Sequence, residues 1–259
     1  MNEVMRALSE KTLIQTSFIL SLLLILQLSP EGFLPAPLEI LKTAITQIQS
    51  ESIQNNVWRT ATRVYLASFI ALILGATIGV IDYFDERISY VTDVIFYPTQ
   101  FVSEAILTIL AITIIGINPS VVYIITVLAI VPDVFIATQV GMNQLDEKLL
   151  ELGEVYSNSK ISTFRHLVIP QILPYIFTGI IRAHASAWDI VGTVEVFLAL
   201  DGLGYLVQNQ FRLLNLPELF GLALIIIVSG LISDRILRII KNHIDRKYKI
   251  EDDNDTKTI

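Results

Sequence analysis

Long apolar runs are the feature that most constrains this chain. Residues 64–81 carry no charge, and residues 94–132 are apolar apart from Glu104. An α-helix needs about 20 predominantly apolar residues to cross the hydrocarbon core of a bilayer. Because 53% of the 259 residues are hydrophobic and 17% are charged, the chain has too few polar residues for a soluble surface. The pattern predicts an all-α, polytopic membrane protein.

Charged and turn-forming residues divide these runs into six predicted transmembrane helices. A signal peptide is the alternative for the first run, but Gln27-Leu28-Ser29-Pro30 is not a small-residue cleavage site. The run that begins at residue 94 is too long for one span, and the segment from Gly116 to Ser120 supplies a turn. The predicted spans are 13–28, 64–81, 94–115, 120–140, a fifth within 167–200 and a sixth around 219–232.

Two shorter features accompany the spans. In the more polar segment 30–56, residues 38–48 are expected to form a short surface helix. Gly75 and Gly79 form a GxxxG pattern, which permits close helix contact either within one subunit or across a dimer seam.

Basic residues predict the orientation in the membrane. Cytoplasmic loops carry an excess of Lys and Arg. Such residues crowd the region after the last span, namely Arg235, Arg238, Lys241, Arg246, Lys247 and Lys249. Six spans then place both termini in the cytoplasm of a multi-pass protein of the cell membrane. Arg59 and Arg63, on the predicted outer side, oppose this orientation, and the inner loop 82–93 offers only Arg87 in its support.

Composition and motifs exclude several functions. The net charge of −7 argues against nucleic acid as a partner, since phosphates require a basic surface. No cysteine is present, and the three histidines have no ligand-like spacing, so we expect no metal site. The sequence has no G-x-x-x-x-G-K-[ST] loop and no nucleophile-elbow motif, so we expect no ATP hydrolysis, no bound cofactor and no enzymatic activity on this chain.

A polar stretch, residues 145–170, interrupts the apolar runs. Apolar residues recur at helical spacing from Leu145 to Tyr156, while Glu147, Glu151 and Glu154 take other parts of the helix surface. Three short polar residues, 157–159, are expected to break this helix, and a second amphipathic turn then leads to Pro170. A short helix, a turn and a second short helix form a shape suited to docking on another protein. An ordinary amphipathic cytoplasmic loop is the alternative interpretation.

This stretch resembles the EAA loop of ABC-importer permeases, the binding-protein-dependent inner-membrane components. Glu151 corresponds to the Glu of that pattern and Pro170 to its terminal Pro, whereas Leu152 and Gly153 replace the two alanines and Ser157 replaces the Gly. The resemblance implies that loop 145–170 couples to a separate ATP-binding subunit, which would bind ATP and Mg. The residues expected in this coupling are Glu151, Gly153, Glu154, Ser157, Lys160, Phe164 and Pro170.

The fifth predicted span carries a second resemblance. The succession Ala187-Trp188, Val194-Glu195 and Gly202-Leu203-Gly204 is similar to that of permeases for nitrate, sulfonates and taurine, with Val194 in place of the usual Ala. The family often has a second Pro soon after the one that corresponds to Pro98, and this chain has none before Pro119.

This second resemblance covers residues 57–248, the expected permease core. Residues 1–56 add the first helix and an outer segment, and residues 249–259 read as a disordered acidic tail.

Together the two resemblances imply a type I ABC importer permease (MetI-like) fold with six transmembrane helices and a homodimer. They also imply an extracytoplasmic solute-binding protein, which would dock on outer segments 30–56 and 201–216. The implied solute is a small oxyanion or sulfonate.

A charged residue inside a span costs free energy, so each one is expected to have a partner or a function. Glu104 either faces a polar pathway or pairs with another helix. Asp133 follows Pro132 and either relieves the backbone at a kink or meets the solute. Arg182 and Asp189 lie seven residues apart on one helical face, which fits a vestibule as well as a helix contact. The candidate residues of the translocation pathway are Glu104, Asp133, Trp188 and Glu195.

Two other classes of function remain open from the sequence. One is an ATP-independent carrier or channel that uses Glu104, Asp133 and Glu195 as a proton or cation path. Internal repeats with matched broken helices, which are typical of such carriers, are absent. The other is a membrane scaffold, which has little need for a two-part polar loop.

Overall fold

The computed structural model describes residues 35–99, 101–116, 118–146, 148, 151, 159–198 and 201–247. Every regular element in these ranges is helical, which confirms the predicted all-α class. The elements are α1 (Pro37–Ile48), α2 (Glu51–Phe84), α3 (Glu86–Thr99), α4 (Glu104–Ile115), α5 (Ser120–Met142), α6 (Lys160–Thr163), a π-helical turn (Phe164–Val168), α7 (Ile169–Leu198), α8 (Leu203–Arg212) and α9 (Leu216–Lys247). The predicted first span, 13–28, and the predicted tail, 249–259, lie outside the described residues.

Four helical stretches among the described residues are long and apolar enough to cross a membrane. They are Glu51–Phe84, Ser120–Met142, Ile161–Leu198 and Leu216–Ile244. Helices α3 and α4 meet the same criterion together, but they are bent by 107° relative to each other. The predicted second, fourth, fifth and sixth spans are therefore found, and the third is a bent pair of helices.

The bend between α3 and α4 corrects two predictions. Residues 82–93, predicted as a loop, are helical apart from Asp85, and Glu104, predicted in mid-helix, is the first residue of α4. Pro98 lies inside the last turn of α3, and the Phe101 N–H bonds back to the Pro98 carbonyl in a tight turn. A proline has no N–H to continue a helix, and a carboxylate at the next helix start suits the helix dipole. The bend therefore occurs with Pro98 alone, without the second proline that the family often has.

Helices α2 and α5 are in close contact at two glycines. A Cβ on Gly75 would lie 2.7 Å from Val134 Cβ, and one on Gly79 would lie 2.8 Å from Thr138 Cβ. Only residues without a side chain permit this approach. The GxxxG pattern therefore packs within one subunit. Helix α7 packs on both of these helices, and their shared core includes Val64, Ile125, Val134, Ile180 and Val191.

A second, smaller apolar cluster joins both predicted outer segments. Ala44 of α1 packs with Leu203 of α8 and with Leu222 and Ile225 of α9. The Gln47 side-chain amide donates to the Glu218 carbonyl at 3.1 Å, which fixes α1 on the start of α9. The predicted surface helix 38–48 is thus found as α1. This end of the bundle, where segments 35–56 and 201–216 meet, is called the α1–α8 end below.

Candidate coupling region and buried charge networks

The predicted coupling loop is described at its two ends. Gly153, Glu154 and Ser157 lie outside the described residues, and of Lys160 only the backbone is described. Glu151 is exposed, as a docking residue would be. Phe164 is half-buried and packs, with Leu145, against the main core. Both ends of the loop are therefore anchored by apolar contacts to the helical bundle.

A pair of hydrogen bonds holds these two ends together. The backbone N–H of Asp146 donates to Gln171 Oε1 at 3.0 Å, and the Gln171 side-chain amide donates to the Leu167 carbonyl, also at 3.0 Å. Gln171 lies in the first turn of α7, while Asp146 follows α5. Because one side chain bonds to both ends, a displacement of the loop would act on α5 and α7 together.

Pro170 does not mark a helix boundary, in contrast to the predicted second short helix that ends there. The chain runs from α6 through the π-helical turn into α7, and Pro170 is the second residue of α7. The N–H of Ile169 bonds to the Phe164 carbonyl, five residues back. This wider turn accommodates a proline ring that would clash with a carbonyl of a regular α-helix. The loop is thus joined to a span without a flexible joint on this side.

Glu195, predicted to line the pathway, lies at the centre of a buried charge network at the α1–α8 end. Its side chain is 0% exposed, and its Oε1 lies 2.5 Å from a guanidinium nitrogen of Arg63. Thr60 Oγ1 donates to the same carboxylate at 2.9 Å, and the Gly204 N–H donates to it at 3.0 Å. Buried charges require such pairing. These contacts account for the charge without a pathway, and the pathway role of Glu195 stays a prediction.

Asp201 extends this network to the surface. It forms ion pairs with both Arg59 and Arg63, and Arg63 also donates to the Asp201 backbone carbonyl at 3.1 Å. The positive charges of Arg59 and Arg63, on the predicted outer side, thus stabilise the contact between α2 and the 201–204 turn. Sequence reasoning treated Arg59 and Arg63 only as exceptions to the orientation rule. Both arginines therefore have ion-pair partners at the α1–α8 end whatever the orientation.

The Gly-Leu-Gly motif fits closely over Glu195. Gly202 has a φ of +104°, and a Cβ there would lie 2.3 Å from the Glu195 carboxyl carbon. A Cβ on Gly204 would lie 2.3 Å from the Gly192 carbonyl oxygen. The Gly202 N–H donates to Asn56 Oδ1 at 2.6 Å. Glycine is required here because the turn backbone itself contacts the carboxylate.

Asp133, another predicted pathway residue, contacts α7. Arg182 Nε lies 3.2 Å from Asp133 Oδ1, while Pro132 lies inside an uninterrupted α5. The carboxylate therefore serves an interhelical ion pair. Both roles considered from the sequence, relief of the backbone at a kink and contact with the solute, stay predictions. Glu104 is half-buried, and its pathway role stays a prediction.

Two further buried polar groups were missed by the sequence reasoning. Asp82 accepts from Thr92 and, at 2.6 Å, from the Gln139 side chain, which joins α2, α3 and α5. His184 places Nδ1 2.9 Å from Ser68 Oγ and Nε2 2.5 Å from Ser233 Oγ, which joins α2, α7 and α9. In the sequence, Asp82 and His184 stand out only as single polar residues beside or within apolar runs, and this pattern does not reveal their partners. In the described part of the chain, no group of three or more His, Cys, Asp or Glu side chains is placed to hold a metal ion.

Trp188 forms part of the wall of an open cleft between α7 and α9. Its side chain is 8% exposed, and its indole N–H has no hydrogen-bond acceptor among the described residues. Asp189, Thr193, Asp234 and Arg238 line the same cleft. A largely apolar cleft with a few polar side chains is an arrangement able to admit a small solute.

Curated proteins of similar sequence are transport permeases. A probable ABC transporter permease protein from Brucella melitensis is 25% identical over 206 residues, which is 79% of this chain and 83% of the relative. Nitrate import permease protein NrtB from Synechocystis sp. is 24% identical, with 81% of this chain and 79% of the relative covered. Taurine transport system permease protein TauC from Escherichia coli is 24% identical, with 80% and 78% covered.

Solved structures of ABC transporters share the fold. A chain of the inward-facing MetNI methionine ABC transporter matches with a TM-score of 0.63 at 14% identity, covering 77% of this chain and 99% of that one. The MetI-like permease fold that the sequence implied is therefore confirmed. The bacterial alginate ABC transporter, solved with an alginate pentasaccharide-bound periplasmic protein, gives 0.61 at 13% identity, with 93% and 96% covered.

The family comparison agrees with the fold and the relatives. The family model described as binding-protein-dependent transport system inner membrane component matches residues 67–250, more than half of the chain. That range includes the α2–α5 contact, both ends of the coupling loop and the Gly-Leu-Gly turn. This chain belongs to the family of binding-protein-dependent transport system inner membrane components.

Proposed function

We propose that this chain forms the translocation pathway of an ATP-driven importer for a small anionic solute of the oxyanion or sulfonate class. The family match over residues 67–250 carries the proposal of an importer. The solute class rests on relatives named for nitrate, bicarbonate and taurine, each 24% identical to this chain. The family favours this function over an ATP-independent carrier.

A separate ATP-binding subunit is the partner that we propose for loop 145–170. The sequence has no phosphate-binding loop, so ATP and Mg would be bound by that subunit. The exposed Glu151 and the anchored ends of the loop support this assignment. In this mechanism, closure of the ATP-binding subunits displaces the loop, and the Asp146–Gln171 contact passes the displacement to α5 and α7.

The opposite side of the membrane would receive a solute-binding protein at the α1–α8 end. Support comes from α1 and α8 themselves, since both predicted outer segments pack on one small core. In this orientation both termini lie in the cytoplasm. The importer would contain two copies of this chain, with the pathway between them.

Glu151→Lys tests the coupling assignment. We expect the ratio of co-purified ATP-binding subunit to permease to fall about tenfold, because reversing a charge at a packed contact removes a charge-assisted interaction. The ratio is measured by quantitative mass spectrometry after purification in mild detergent, together with ATP-dependent uptake in proteoliposomes.

Glu39→Lys is the matched control for this experiment. Glu39 is an exposed residue of α1, so the variant carries the same charge change at the α1–α8 end. We expect it to retain the ATP-binding subunit. If Glu151→Lys keeps the subunit and transports at the wild-type rate, Glu151 does not couple the two proteins.

A further inference from the structure

One side of α7 is exposed without presenting large apolar side chains over most of the helix. Between Ile169 and Phe197, near its two ends, the exposed residues are Thr178, Arg182, Ala185 and Asp189. Their spacing of four, three and four residues places them on one side of an α-helix. This set is called the polar face of α7 below.

The other spans expose a different kind of side chain. Exposed residues of α2 include Leu66, Phe69 and Ile73, and those of α9 include Ile227 and Leu231. Large apolar side chains on the outside of a span suit contact with lipid, whereas a charged side chain that faces lipid costs free energy. The polar face of α7 carries two charges and no large apolar residue. It therefore borders water or another protein.

Arg182 is held on this face by a buried partner. It lies near the middle of the 30-residue helix α7, and its side chain is 74% exposed. Its Nε lies 3.2 Å from Oδ1 of Asp133, whose side chain is only 9% exposed. No hydrogen bond from its two terminal nitrogens occurs within the described ranges. The ion pair through Nε therefore orients the guanidinium and leaves the terminal nitrogens for another acceptor.

The guanidinium defines the charge of a complementary ligand. Its parallel N–H groups match the oxygens of an oxyanion such as nitrate or a sulfonate. Asp189, the other charge of the polar face, lies seven residues further on, which is about 10 Å along the helix axis. Coulomb energy falls with distance, and water and salt screen charges that are about 10 Å apart. Contact with Arg182 therefore outweighs repulsion by Asp189.

We propose that Arg182 binds the anionic group of the solute during its passage through the membrane. The polar face of α7 then forms one wall of a water-filled pathway between two copies of the chain. The inference rests on the proposed importer function and adds to it the residue that selects for negative charge. From the sequence, a vestibule and a helix contact were alternatives for Arg182, and in this inference it has both roles.

Thiol labelling tests whether the polar face borders water. The sequence has no cysteine, so Ala185→Cys, one turn from Arg182, adds the only thiol of this chain. Phe69→Cys is the matched control, since Phe69 is 60% exposed among the apolar residues of α2. The importer complex in lipid nanodiscs is treated with sulfonatoethyl or trimethylammonioethyl methanethiosulfonate. We expect Phe69→Cys to react about tenfold more slowly or less, because the reactive thiolate forms in water and not in lipid.

The two reagents carry opposite charges, so their relative rates report the potential near residue 185. Adding Arg182→Gln to Ala185→Cys is expected to lower the ratio of the anionic to the cationic rate about threefold or more, because a positive charge one turn away is lost. Arg235→Gln, which removes an exposed arginine of α9, should leave the ratio unchanged.

Protection from labelling measures anion binding directly. Nitrate and ethanesulfonate should slow the labelling of Ala185→Cys saturably, whereas the cation ethylammonium should not. Arg182→Gln is expected to weaken this protection about tenfold or more, since a charge-assisted hydrogen bond to the anion is lost. Arg235→Gln should again have no effect.

Chemical rescue links this binding to transport. Proteoliposomes with the ATP-binding subunit and the solute-binding protein are assayed with nitrate, bicarbonate and taurine. Arg182→Cys is expected to lower uptake per ATP hydrolysed about tenfold or more. Aminoethyl methanethiosulfonate, which attaches an ammonium group to the thiol, should recover part of this uptake, and the sulfonatoethyl reagent should not. A purely structural role of Arg182 would not depend on the sign of the attached charge.

Several outcomes would overturn the inference. They are equal labelling rates of Ala185→Cys and Phe69→Cys, protection that Arg182→Gln does not weaken, protection by ethylammonium alone, and equal effects of the two reagents on Arg182→Cys. The importer function would survive each of them. Failure of the importer itself has a separate signature, which is the absence of both a co-purified ATP-binding subunit and ATP-dependent uptake of any of the three anions by the wild type. The inference would then fail with it.

Discussion

Replacing Arg63 with leucine is expected to destabilise the folded chain by about 3–5 kcal/mol. The side chain of Glu195 is 0% exposed, and Arg63 is its ion-pair partner. Removal of the guanidinium leaves that carboxylate buried without a compensating charge, which costs more than the pair itself contributes. The loss is measured as a lower midpoint of thermal unfolding, followed by circular dichroism in a mild detergent.

Arg59→Leu is the matched control. Arg59, like Arg63, forms an ion pair with Asp201, but the side chain of Arg59 is 59% exposed. The loss of stability in Arg59→Leu should therefore stay within about 1 kcal/mol. The double variant Arg63→Leu, Glu195→Leu removes the charge together with its partner and should recover part of the lost stability. Equal unfolding midpoints for Arg63→Leu and Arg59→Leu would show that burial of the Arg63–Glu195 pair does not determine its contribution to stability.

This network shows where sequence reasoning reached its limit. The resemblance identified Val194-Glu195 and Gly202-Leu203-Gly204 as one succession, but it did not reveal that the Glu195 carboxylate is paired with Arg63. Its partner Arg63 lies 132 residues away in the sequence, and no local pattern connects the two. A costly charge in a span predicts that a partner exists, not which residue it is.

The helices themselves were largely predictable, because hydrophobic length alone defines a span. Their ends were not. The prediction began α2 at residue 64, whereas it begins at Glu51, since the polar turns before Val64 are held by contacts to the 201–204 turn. The bend between α3 and α4 was also missed, because one proline in an apolar run gives no measure of the angle that follows.

For loop 145–170, the general position was predictable from the sequence, whereas the contacts that hold its ends were not. Its position between two spans and its exposed acidic residue Glu151 followed from the sequence. The Asp146–Gln171 hydrogen bond did not, because its two residues lie 25 positions apart in the sequence. That bond joins the ends of α5 and α7, whose contacts with α2 form the main core. In the proposed mechanism, transmission of motion from the loop therefore depends on how tightly these three helices pack.

Gly79→Leu is expected to destabilise the chain by about 3 kcal/mol or more, because it inserts a side chain where α2 and α5 are in backbone contact. A Cβ at this position would already lie 2.8 Å from Thr138 Cβ and 3.1 Å from the Phe135 carbonyl oxygen. The helices must separate to accept it. The gain in helix propensity over glycine, about 1 kcal/mol, is too small to offset this cost. The same thermal unfolding measurement applies, with Gly79→Ala expected to show a smaller loss of the same sign.

Gly192→Ala controls for the removal of a helical glycine. A Cβ there meets no atom within 4 Å among the described residues, so the variant should gain up to about 1 kcal/mol from helix propensity alone. Opposite signs for Gly79→Ala and Gly192→Ala would show that the contact, rather than the glycine itself, determines the effect. A gain in both would mean that α2 and α5 separate at little cost, and a displacement of the loop would then reach α5 without moving α2.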